Sequence, residues 1–126
     1  MSPHKRRMKP YHPRKSTQSK LLQKQELSDM QHKLSMDFGN FLVLIEEGTA
    51  EQASMAQQKA KSDLLKYGPD MQKIANEIGG KFPKTVHDFL DSLDAVVHSA
   101  SGWIDEAKIM KCHESTQELE RELQSA

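Results

Sequence analysis

The chain has 126 residues, of which 36% are hydrophobic and 29% charged, and a mean hydropathy of −0.75, which bounds it at one domain with little apolar surface for a core. Its longest apolar run, Phe41 to Ile45, is far short of the roughly 20 residues that cross a bilayer, so membrane insertion is excluded. The single cysteine, Cys112, has no partner for an intramolecular disulfide, which agrees with a reducing compartment.

Lys and Arg equal Asp and Glu at 18 each, yet the charges are segregated. No acidic residue precedes Glu26, and the 25 residues before it hold eight cations, leaving ten against all 18 acids in the remainder. Residues 1–15 combine Pro, His, Arg and Lys with almost nothing to bury, which predicts a disordered basic arm. Cations without an apolar stretch behind them do not read as a secretion signal, and Pro3, Pro10 and Pro13 break the helix that a mitochondrial presequence requires. Lys5, Arg6, Arg7 and Lys9, with Arg14 and Lys15 as a second patch, fit the compact basic cluster of a nuclear import signal. The same residues suit contact with nucleic-acid phosphates, or a merely solubilising tail. Ser16 and Thr17, just after Arg14-Lys15, have the setting of a phosphorylation site for a basophilic kinase.

A long helix is predicted over 16–67, with Ser16 or Thr17 as N-cap. Leu27, Met30, Leu34, Phe38, Phe41 and Ile45 fall at spacings of three and four, one buried stripe. The rhythm continues through Ala53, Ala56, Ala60, Leu64 and Tyr67 with smaller residues, and Gly48 marks a kink or break. Gly68-Pro69 reads as a helix stop, followed over 68–83 by a short helix with Met71, Ile74 and Ile78 and a corner at Gly79-Gly80. A final long amphipathic helix is predicted over 84–123. Val86, Leu93, Ala100 and Ala107 occupy one heptad position, with Phe89, Val96, Trp103 and Met110 three residues after each, while Leu90, Val97 and Ile104 widen the stripe.

His87 with Asp91, and Asp94 with His98, are spaced four apart as metal ligands on one helix would be, but they lie opposite the apolar stripe and read as a solvated face. Cys112-His113 lacks the further ligands of a zinc site, and its adjacent side chains diverge too far for a nucleophile and base. Trp103 fits either core packing or an interface anchor. No glycine-rich phosphate loop and no nucleophile–base–acid set is present, so the sequence predicts no enzyme, no metal and no cofactor.

Gly48-Thr49-Ala50, the helix around Met55-Ala56-Gln57-Gln58, Ala75 before a glycine turn, and Val86, Phe89, Leu93, Val97 and Trp103 together resemble the first subunit of the lysosome-related-organelle biogenesis complex BLOC-1, shared with the lysosome-positioning complex BORC. The resemblance implies a cytosolic adaptor subunit of an elongated helical complex. From the residues themselves the expectation is an all-α protein, an elongated helical hairpin or bundle with coiled-coil character. It would act as a nuclear, non-enzymatic scaffold subunit that assembles with itself or with partner helices. Leu27, Leu34, Phe38, Phe41, Ile45, Val86, Phe89, Leu93, Val96, Trp103 and Ile104 would form its core or interface. Nucleic-acid association through the arm is the rival expectation.

Overall fold

The computed structural model describes residues 11–99 and 104–125, with side chains from Lys20 onward. The protein is all-α: α1 (Tyr11–Glu47), α2 (Ala50–Ile78), α3 (Phe82–Val97) and α4 (Glu106–Gln124), with no strand among the described residues. Consecutive helices run antiparallel and pack on one another, and the end of α4 returns to α1, closing a four-helix up-and-down arrangement. The reading of residues 1–10 as a disordered arm lies outside the described residues, as does the placement of Trp103.

α1 is helical from Tyr11, earlier than the expected start at Ser16. Pro13 is accommodated because the amides of a first helical turn have no intrahelical acceptor to lose. The expected kink at Gly48 is a full reversal, so 16–67 is two helices rather than one. Gly48 ends the first by donating its N–H to the Leu44 carbonyl (2.9 Å), and a Cβ there would stand 2.8 Å from Leu44 Cδ2 and 2.9 Å from Gln52 Oε1, so those side chains would have to shift. Thr49 starts the second with a capping box. Its hydroxyl accepts from Gln52 N–H (3.1 Å), while Gln52 Oε1 accepts from Thr49 N–H (3.0 Å).

The predicted stop at Gly68-Pro69 is overturned, because α2 continues through it to Ile78. Gly68 is buried against α3, with Leu90 the nearest side chain, and Met71 and Ala75 beyond it are fully buried. Pro69 points outward, so the Leu65 carbonyl left without its donor faces solvent. Packing thus outweighs the local signal. The real corner is Gly79-Gly80, whose φ angles of 81° and 63° suit residues without a side chain. Pro83 sits in the first turn of α3 as expected.

The helix expected over 84–123 is also two. α3 ends at Val97, and α4 begins afresh with Asp105 accepting from Ala107 N–H (3.1 Å). The heptad phase does not carry across: Ala107 and Met110, expected on the stripe, are exposed, and α4 instead buries Ser115 and Leu119. Cys112 and Leu123 pack partly against the core.

The core is continuous. It joins Leu27, Leu34, Phe38 and Phe41 of α1 to Ala56, Ala60, Leu64, Met71 and Ala75 of α2, Phe82, Val86, Phe89, Leu93, Val96 and Val97 of α3, and Leu119 of α4. Phe89→Ala removes the largest fully buried side chain and is expected to cost about 3–5 kcal/mol, read as a lowered denaturation midpoint. Pro69→Ala, which restores a donor inside α2, is expected to add about 1 kcal/mol or more of stability, read as a raised midpoint.

Candidate functional site

The residues expected to form a core or interface resolve into one role. Leu27, Leu34, Phe38, Phe41, Val86, Phe89, Leu93 and Val96 are buried within the single chain, and Ile45 and Ile104 are partly buried against them. Both stripes are therefore turned into one core, α1 packing on α2 and α3 on α2 and α4. Lys5, Arg6, Arg7 and Lys9 lie outside the described residues, while Arg14 and Lys15 fall on the first turns of α1.

What remains outside is a second set of apolar side chains. Leu21, Leu22, Met36 and Val43 of α1, Met55 and Leu65 of α2, and Met110 of α4 are exposed. Leu22, Met36 and Val43 share one heptad position on the side of α1 turned away from the core. Gly39 lies between the last two, with open space where a Cβ would be.

The α1–α2 bend holds a recess of about 380 Å³, floored by Phe41, Leu44, Ile45 and Ala53 and reaching Gln57. Gln57 is held in place by donating to the Val97 carbonyl at the end of α3 (2.7 Å). Exposed Glu46, Glu47 and Glu51 stand around this bend, and no Lys or Arg occurs from Leu34 to Gln58.

Between α1 and α2 the structure brings together two carboxylates that periodicity alone did not single out. Asp37 lies on the edge of the α1 stripe, and its Oδ2 is buried without a hydrogen-bond donor. Burial pushes its pKa up to about 6, helped by a hydrogen bond and charge repulsion from Asp63 across the interface, against weaker pulls from Lys59 and Lys33. Asp63 is held below its ordinary value, first by that hydrogen bond with Asp37 and further by Lys59, whose Nζ is 3.4 Å away. Below about pH 6 Asp37 carries a proton beside the ionised Asp63, and above it both carboxyls are charged. A carboxylate one position beside a stripe of large apolar residues was the available signal. What it faces depends on the pairing of α1 with α2.

The spaced His and Asp residues of α3 do not assemble a ligand set. His98 Nδ1 lies 3.1 Å from Asp94 Oδ1 and 2.9 Å from the Asp94 carbonyl, a pairing within one helix end. No group of three His, Cys, Asp or Glu side chains among the described residues is gathered as for a metal ion. Cys112 is half-buried, and burial pushes its thiol pKa up, while the neighbouring Ser92 and Thr116 hydroxyls donate to the Phe89 and Cys112 carbonyls, the opposite of an activated nucleophile. Next to it the Ser92 and Ser115 hydroxyls share a 2.6 Å hydrogen bond that joins α3 to α4. No described helix is long and apolar enough to cross a membrane. Compared with family models, curated proteins and solved structures, the chain matches none.

Because Asp37 titrates above its unfolded value of 3.8, folding favours its protonated form, and this stability is full below about pH 4 and lost as pH rises through 6. Asp63 acts in the opposite sense, but only at pH values below its unfolded one. Stability is therefore expected to fall between about pH 4 and 7. Asp37→Asn, whose amide donates to Asp63 at any pH, should flatten the decline and stabilise the protein at pH 7. Denaturation midpoints of the two proteins across that range check this.

Proposed function

We propose that the protein is a non-enzymatic scaffold subunit that assembles with other helices, in the nucleus, through the apolar side chains its own core leaves outside. The observation that carries this reading is that Met36 and Val43 on α1 and Met55 and Leu65 on α2 stay exposed while the core beneath them is closed. Exposed apolar side chains recurring on the outer face of a long helix are what a helical partner covers.

The test is affinity purification of the tagged full chain against a variant with Met36, Val43, Met55 and Leu65 changed to Gln. A defined partner retained by the wild type and reduced at least tenfold with the variant, at unchanged helicity, is expected. The same recovery from both would sink the reading.

The arm supports the nuclear location and also favours a second reading, contact with nucleic-acid phosphates, because eight cations precede Glu26 with no acid among them. Neutralising Lys5, Arg6 and Arg7 is expected to move a tagged protein out of the nucleus. If instead the wild type binds a DNA duplex with an affinity that falls steeply with salt and disappears in the neutralised variant, the second reading replaces the first. The cytosolic adaptor implied by the resemblance over Gly48 to Trp103 is compatible with an all-helical fold, and nothing more specific supports it.

A further inference from the structure

We propose that copies of this chain associate head to tail, the Leu21-Leu22 pair at the basic end of α1 in one copy entering the apolar recess at the α1–α2 bend of the next. The inference rests on the scaffold reading and names a partner for it, a second copy.

Near the start of its described side chains, α1 meets the end of α2 and the start of α3. α2 ends at Ile78, close to where Gln23 Nε2 donates to Glu77 Oε1 (2.7 Å), and Lys24 leans over the Phe82 ring at 5.7 Å from its centre. Leu21 and Leu22, immediately before, are 65% and 67% exposed although no other large apolar residue lies nearby on that segment. They are set among cations. Lys20 is exposed beside them, and the sequence before Glu26 holds eight cations and no acid.

The opposite end of α1 is complementary in shape and in charge. The recess floored by Phe41, Leu44, Ile45 and Ala53 has a volume of about 380 Å³, room for two leucine side chains, and Glu46, Glu47 and Glu51 stand exposed at its bend. Docking would bury apolar surface at both ends and bring Lys20 to the three glutamates. Such complementarity speeds association and rejects partners of the wrong sign.

A chain cannot make this contact with itself. Leu22 and Ile45 lie on one straight helix, about 35 Å apart at 1.5 Å per residue. Knob and recess are different surfaces, so the contact is heterologous and each added copy presents a fresh end. Short linear oligomers follow, weakened by salt because the flanking charges are exposed.

Sedimentation velocity of the full chain tests this over a hundredfold concentration range, at low salt and at about 0.5 M. The expected result is a mass that rises past a dimer with concentration at low salt, and an association at least tenfold weaker at high salt, tending to the 14.3 kDa monomer. Leu21→Gln/Leu22→Gln breaks the knob and Glu46→Lys/Glu47→Lys breaks the rim of the recess. Both pairs are exposed or at the recess edge, and cations suit a helix C-terminus, so circular dichroism should not change. Each variant alone is expected to stay monomeric, and an equimolar mixture to stop at a one-to-one dimer, since one intact knob still meets one intact recess. A monomer under every condition, a closed dimer, or oligomers that either variant leaves intact would overturn the proposal. A monomeric chain that still retains its partner in the affinity experiment would remove self-assembly alone and leave the scaffold reading standing.

Discussion

The apolar face of α3 is the constraint on which the bundle depends. It is the helix richest in large buried side chains, with Phe82, Val86, Phe89, Leu93, Val96 and Val97 all within the core, and α2 and α4 pack on it from two sides. α2 offers mainly Ala56, Ala60, Gly68 and Ala75 in return, with Leu64 and Met71, which lets the backbones approach closely but buries little area of its own. α4 contributes Leu119 and the Ser115 hydroxyl. A chain of low mean hydropathy thus closes a core by concentrating its large residues on α3 and on the middle of α1, with small residues where the helices between them must fit.

That economy leaves little margin for polar groups at the helix contacts, and Asp37 shows how one is accommodated. An isolated carboxylate beside Phe38 and Phe41 would be left with an unsatisfied oxygen. Placing Asp63 opposite supplies a partner only while one of the two is protonated, and Lys59 and Lys33 hold Asp63 as the charged member. The contact between α1 and α2 therefore carries a dependence on proton concentration that neither helix has alone. It also orders the pairing, because sliding one helix by a turn would separate the two carboxyls and leave one of them facing apolar neighbours.

The helical class and most core residues were legible because they depend on periodicity, which a single chain displays. Leu27, Leu34, Phe38, Phe41, Val86, Phe89, Leu93 and Val96 are all buried as their spacing indicated. The boundaries were less legible, because each is decided by competition. At Pro69 a local breaker loses to burial of Gly68, Met71 and Ala75 on both sides of it. Between Val97 and Glu106 a continuing heptad loses to a fresh N-cap at Asp105 and a new buried phase at Ser115 and Leu119. The role assigned to the stripes depended on whether another chain was needed to cover them. Two stripes in one chain enter one core once Gly48 and Gly79-Gly80 fold it so that α2 packs between them, a fact that belongs to the tertiary arrangement and not to either stripe. The Asp37–Asp63 pair was hidden for the same reason.

The charge segregation of the sequence acquires a direction only in the fold. Cations before Glu26 and acids from Asp37 to Glu51 are neighbours in sequence order, and in a compact coil they would meet and cancel. α1 prevents this: 37 residues in one helix hold its basic end and the acidic bend apart, and α2 packs along it. Opposite charges held apart on a rod are satisfied by counterions or by another molecule. The exposed apolar residues at the basic end and the apolar recess at the acidic one add a short-range contact that counterions cannot supply.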